Sequence, residues 1–113
     1  MINEERDAFR DKRITVEEGG QVLSEATVSA PDENNRARAQ VHVASGHLPA
    51  GTRQRMADAL HQAVSEDNAE RLTASVPRGE AELVEGICDH LSDVALRSAG
   101  STSFIEGEVR PTS

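Results

Sequence analysis

Residues 43–51 read VASGHLPAG and join a segment of alternating apolar residues to a segment with helical periodicity. Residues 76–79 read VPRG and form the same kind of junction further along the chain. At each junction a strand-like pattern ends, a Pro-x-Gly sequence follows, and apolar residues then recur at helical spacing. The two junctions therefore predict two β-α units.

The segments around these junctions complete the predicted order of elements. Residues 22–30 and 36–45 alternate between apolar and polar side chains and flank a turn rich in Pro, Asp and Asn, which is typical of a β-hairpin. Helical periodicity follows at residues 52–65 and 80–96, and further strands are predicted at 71–76 and 102–109. The predicted order is β-β-α-β-α-β.

The alternation within each strand predicts a sheet with one face exposed to water. We therefore expect an α+β fold, a two-layer sandwich in which a four-stranded, mixed or mostly antiparallel sheet carries both helices on one face. Residues 1–20 are rich in charge and are predicted to be a flexible N-terminal segment, followed by a single domain at 21–110 and a tail at 111–113.

Composition disfavours several classes of partner. The chain has 113 residues, a formal net charge of -8 and neither Trp nor Tyr, so it lacks the positive charge and stacking rings that nucleic acids require. An anionic membrane surface is disfavoured by the same charge, and no apolar run is long enough to span a bilayer. A lone cysteine, Cys88, excludes an internal disulfide. We expect a cytoplasmic protein, and its preference for Arg over Lys suggests a bacterial source.

The loop before the first helix is the candidate ligand site. Gly46 and Gly51 have the spacing of a phosphate-binding loop, but Thr52 and Arg53 stand where such a loop needs Lys and then Ser or Thr. Weaker capture of an anion by His47, Thr52 and Arg53 at the helix N-terminus is one interpretation. The other is that Pro and Gly only shape a tight turn between strand and helix.

Catalytic and metal-binding signatures are not recognisable in the sequence. The four histidines do not have the spacing of metal ligands on one helix, and Cys88 and His90 diverge around a predicted helix. We therefore predict no catalytic residue, no metal and no cofactor.

The exposed sheet face is the candidate interaction surface. Side chains predicted to lie on it are Leu23, Arg36, Arg38, His42, Phe104 and Glu106. These observations favour a non-enzymatic interaction or regulatory domain that binds a protein partner, or a second copy of itself, through this face or an edge strand. The alternative is a sensor of a small anionic ligand at residues 46–53. A third hypothesis is an enzyme that uses His47 as acid or base.

Overall fold

The computed structural model describes residues 2–6, 11–44 and 48–111. Within these residues the chain forms seven strands and two helices, and all seven strands belong to one mixed sheet. In chain order the elements are β1 (Ile2–Arg6), β2 (Lys12–Glu18), β3 (Gln21–Val28), β4 (Arg36–Val43), α1 (Thr52–Glu66), β5 (Arg71–Pro77), α2 (Ala81–Cys88), β6 (Leu91–Ala99) and β7 (Thr102–Val109).

The order of strands across the sheet is β1-β2-β3-β4-β5-β7-β6. Strands β4 and β5 are parallel neighbours joined by α1, so the predicted first β-α unit is confirmed. Every other pair of neighbouring strands is antiparallel. Helix α2 leads from β5 to the edge strand β6, and β7 lies between these two strands.

Both helices pack on one face of the sheet, as the sequence predicts. Helix α1 contacts β2, β3, β7 and α2, and its buried stripe includes Met56, Leu60 and Val64. Burial of such side chains supplies most of the favourable free energy of folding. The buried strand residues that share this core are Ile14, Val16, Ala26, Val28, Ala37, Ala39, Val41, Leu72, Ala74, Val76 and Ile105.

The predicted four-stranded sheet is wrong, first because the fold begins before residue 21. The charged segment 1–20 contains β1 and β2, and Ile14 and Val16 of β2 are fully buried in the core. Strand β2 pairs with β3 through a tight turn at Gly19 and Gly20, both of which have positive φ. Because the surrounding residues are charged, the composition of this segment did not indicate a strand.

The second correction concerns the predicted helix at 80–96. Helix α2 ends at Cys88, and residues 91–99 form β6. The apolar residues Val94 and Leu96 are 37% and 61% exposed, so they do not belong to a buried helical stripe. Gly100 has φ 60° and lies in the two-residue turn between β6 and β7.

Candidate functional site

A cleft opens where the parallel strands β4 and β5 part. Their pairing runs from Arg36 and Arg71 to Gln40 and Ser75 and then stops. Beyond that point β4 continues to pair only with β3, and β5 only with β7. The resulting cavity has a volume of about 190 Å³ and is lined by Gln40, Val41, His42, Ser75, Val76, Pro77, Ser101 and Thr102.

The position of the cleft favours ligand binding. Ligands of α/β sheets bind beyond the carboxyl ends of parallel strands, where the amino ends of the following helices meet. Here the carboxyl ends of β4 and β5 lead into α1 and α2. The edge of β4 from residue 41 to residue 43 has no strand partner on the β5 side. Its backbone groups are therefore available to an extended ligand.

Helix α1 begins after the carboxyl end of β4. Gly51 is the N-cap residue, with φ 84°, and no side chain of the described residues caps the helix. The first turn carries no acidic residue, so its amides remain suited to an anion. Thr52 is 1% exposed, and its hydroxyl donates to the carbonyl oxygen of Pro49 at 2.8 Å. Thr52 thus fixes the turn, while His47 lies outside the described residues.

Arg53 is held by a partner that the sequence did not indicate. Its Nε and Nη2 both donate to the carboxylate of Glu80, the residue that precedes α2. This hydrogen-bonded carboxylate raises the pKa of Arg53 above its ordinary value, although partial burial opposes the shift. The ion pair joins the amino ends of the two helices, so the guanidinium is not free to bind a separate anion.

A second hollow lies beside the cleft on the exposed face of the sheet. Its volume is about 380 Å³ and it shares Gln40 and Ser75 with the cleft. Its lining consists of Asp11, Thr27, Ser29, Arg38, Ala39, Gln40 and Ser75. The two cavities adjoin at these shared residues and extend from Asp11, just before β2, to Ser101 in the turn between β6 and β7.

The residues predicted for an interaction surface differ in exposure and in contacts in the structure. Arg38 and His42 are exposed, and Arg36 forms an ion pair with Glu106 at 3.2 Å. The guanidinium of Arg97 lies 5.0 Å from the centroid of the Phe104 ring. Leu23 is only 7% exposed, which corrects its predicted exposure, and it lies outside the main core cluster.

A more voluminous hollow than the cleft lies elsewhere. It has a volume of about 680 Å³ and is lined by Ser65, Asn68, Ala69, Glu70, Arg71, Glu108, Val109, Arg110 and Pro111. It is at the amino end of β5 and beside the carboxyl end of α1, where the helix dipole is negative. Because neither parallel strands nor helix N-termini converge there, we place the candidate site in the cleft.

Other chemistry is limited among the described residues. No three His, Cys, Asp or Glu side chains come together to hold a metal ion. Burial raises the pKa of the Cys88 thiol, and the nearby carboxylates of Asp89 and Glu85 raise it further, so the reactive thiolate is disfavoured. Neither helix of the described chain is long and apolar enough to cross a membrane.

Comparisons with known proteins identify the fold. No family model matches the chain, and no curated protein matches its sequence. Three solved structures resemble it over 88–93% of its length. They are the ribosomal-protein-alanine N-acetyltransferase of Brucella melitensis (17% identity, TM-score 0.62), yncA of Salmonella typhimurium with its cofactor acetyl-CoA (11%, 0.62), and the GNAT domain of S. lividans PAT (11%, 0.65). The chain spans 69%, 65% and 64% of their respective lengths.

At these sequence identities the likeness shows the fold, which is GNAT-like. It overturns the expectation of a non-enzymatic interaction or regulatory domain, because the structures that share this architecture include acetyltransferases. The sequence contained no signal for this outcome, since the cleft is built from residues of ordinary polar and apolar type.

Proposed function

We propose that this protein is an enzyme that transfers an acyl group from acetyl-CoA, or a related acyl thioester, to the amine of a small acceptor. The observation that carries the proposal is the parting of β4 and β5 after Gln40 and Ser75, in a fold shared with acetyltransferases. A cleft between parallel strands is where an extended cofactor arm and an acceptor could meet.

The residues around the cleft fit acetyl-CoA. Its phosphates are anionic, and the first turn of α1 contains no acidic residue of its own, and its backbone amides lie beside the Arg53–Glu80 ion pair. A Cβ placed on Gly51 would have no atom of the described residues, its two chain neighbours aside, within 4 Å. The unpaired edge of β4 at residues 41–43 offers hydrogen bonds to the amides of the cofactor arm. When bound, acetyl-CoA would supply an activated acyl thioester.

His42 is the residue that we expect to accept the proton of the acceptor amine. It lines the cleft, is exposed, and lies on the outward face of β4, from which an acceptor can approach. Imidazole is the side chain most often used for this role. Glu25 lies directly opposite His42 on β3, which places the two Cβ atoms about 5 Å apart.

The first test measures cofactor binding by calorimetry and release of free thiol in the presence of amines. The variant Ser75→Phe places a large ring where the strands part, and we expect it to weaken binding of acetyl-CoA by at least about tenfold. Thr73→Phe is the matched control, because Thr73 lies on the same face of β5 two residues before the pairing with β4 ends and lines neither the cleft nor the adjoining hollow. Absence of binding by the native protein, or equal binding by both variants, would refute the proposal.

The second test concerns His42. We expect His42→Gln to lower kcat for amine acetylation by about a hundredfold, since loss of a general base has effects of that order. Binding of acetyl-CoA should be unchanged, because the proposed contacts of the cofactor use backbone groups. A variant with native kcat would remove His42 from the mechanism.

A further inference from the structure

Resting on the proposed function, we infer that the acyl acceptor is a small amine that also carries an anionic group, and that Arg38 binds this group. The inference concerns the hollow of about 380 Å³ that adjoins the cleft on the exposed face of the sheet. Helices α1 and α2 cover the opposite face, so an acceptor must reach the cleft from this side.

The side chains that line this hollow favour a polar ligand. It presents hydroxyl groups from Thr27 and Ser29 and the amide of Gln40, whereas its apolar contribution is the small Ala39. A pocket of this chemistry binds a hydrophilic molecule and offers little to an aliphatic or aromatic acceptor. The acceptor class is therefore narrowed to small polar amines.

Arg38 supplies the charge that selects among such amines. It is the one arginine that lines either the cleft or the hollow in the described chain. Its backbone is fixed by two hydrogen bonds, in which its N–H donates to Ser29 Oγ at 2.9 Å and its carbonyl accepts from Ser29 N–H at 2.8 Å. Among the described residues no ion pair or hydrogen bond uses its guanidinium. By contrast, Arg36 and Arg71 both lie beside the carboxylate of Glu106.

An arginine whose backbone is held by hydrogen bonds, and whose guanidinium makes none with the described residues, is suited to bind a carboxylate with two hydrogen bonds. Asp11 lines the same hollow and already takes part in an interaction of its own. A second cationic group on the acceptor, attracted by Asp11, is the competing possibility, and the experiment below includes it.

The spacing along β4 limits the size of the acceptor. Arg38, Gln40 and His42 are successive outward residues, about 7 Å apart from one to the next. Arg38 and His42 are thus about 14 Å apart along the strand, so an amine at His42 and an anionic group at Arg38 are bridged by a flexible ω-amino acid together with the extended Arg38 side chain. In the transfer the amine nitrogen bonds to the acyl carbon, the carbon–sulfur bond breaks, and the amine proton passes through His42 to the departing thiol.

The experiment compares ω-amino acids of increasing length, from glycine to 6-aminohexanoate, with their amides and with diaminohexane as acceptors for the full-length protein and acetyl-CoA. We expect the free acids to have the highest kcat/KM. Arg38→Gln should raise KM for the acids by about tenfold with little change in kcat, and should leave KM for the amides unchanged. Arg97→Gln is the matched control, because Arg97 lies on Phe104 and outside both cavities.

The outcomes separate the two proposals. Equal use of acids and amides, preference for the diamine, or an equal effect of Arg38→Gln on all acceptors would overturn the inference while leaving acyl transfer intact. Failure of the native protein to bind acetyl-CoA or to acylate any of the amines would overturn the proposed function, and the inference with it.

Discussion

Arg53 and Glu80 connect the first turn of α1 to the residue that precedes α2. Nε and Nη2 of Arg53 both donate to the Glu80 carboxylate, and the Nη2–Oε2 distance is 3.5 Å. The side chains are only 26% and 20% exposed, so solvent screens this pair less than the other arginine–carboxylate pairs of the described chain. The two strand-to-helix junctions that flank the cleft are thereby joined.

We expect this pair to contribute measurably to stability. A double-mutant cycle with Arg53→Gln and Glu80→Gln should give a coupling energy of about 0.5–1 kcal/mol by urea denaturation, near the upper end for partly exposed pairs. The same cycle for Arg55 and Glu18, which are 3.8 Å apart and 40% and 56% exposed, should give a value near zero. Equal coupling in the two cycles would contradict the special role of Arg53 and Glu80.

The close approach of α1 and α2 depends on Gly86. A Cβ at this position would lie 2.9 Å from the Cβ of Ala57 and 3.3 Å from Oε1 of Gln54. Gly86→Ala gains about 1 kcal/mol of helix propensity, but overpacking costs about 1–3 kcal/mol, so we expect a net loss of about 1 kcal/mol. Urea denaturation measures the loss. If the clash is its cause, Ala57→Gly will cost less in the Gly86→Ala protein than in the native one.

Lys12, the only lysine of the chain, ties β2 to the end of α1. Its buried Nζ donates to the carbonyl oxygen of Ala63 at 2.9 Å and lies 3.3 Å from carboxylate oxygens of both Glu4 and Asp67. We expect Lys12→Met to lower the free energy of unfolding by about 2–3 kcal/mol, because the carbonyl and the carboxylates lose their shared cation. Arg13→Met, at an exposed neighbouring position, is the control. Similar losses in both variants would refute this account.

The parts of the fold that depend on local patterns were predictable. The hairpin of β3 and β4 was confirmed, because its alternation and the Asp32–Asn35 turn chemistry lie close together in sequence. Helix α1 was also confirmed, and Asn68, which follows it, has positive φ. Strand β6 was missed because its apolar residues fit a helical period as well as a strand, and only tertiary pairing with β7 decides between them.

The candidate site was predictable only in part. Arg53 was predicted to help capture an anion, whereas in the structure its guanidinium is hydrogen-bonded to Glu80, a partner 27 positions away that no local pattern indicates. The position of the cleft depends on where parallel pairing of β4 and β5 ends, and the last pair is Gln40 with Ser75. No single segment of the sequence determines that position, because the residues that line the cleft come from three separate parts of the chain.

Asp32 connects the β3–β4 turn to the acid stability of the protein. Its Oδ1 accepts hydrogen bonds from the backbone N–H groups of Arg36 at 3.1 Å and Asn34 at 2.8 Å. These bonds favour the ionised carboxylate and lower the pKa of Asp32 below its ordinary value of 3.8. A lowered pKa in the folded state means that ionised Asp32 stabilises the protein above the ordinary value, and that this stabilisation disappears as the pH falls through the folded-state pKa.

Asp32→Asn keeps an oxygen acceptor in the turn but removes this titration. We expect the variant to have a lower urea midpoint than the native protein at neutral pH, and the difference to shrink as the pH falls below about 4. Glu33→Gln is the control, because this exposed neighbour accepts no hydrogen bond among the described residues and its replacement should leave the midpoint unchanged at both pH values. A difference between Asp32→Asn and the native protein that persists undiminished in acid would mean that the turn depends on side-chain shape rather than on the ionised carboxylate.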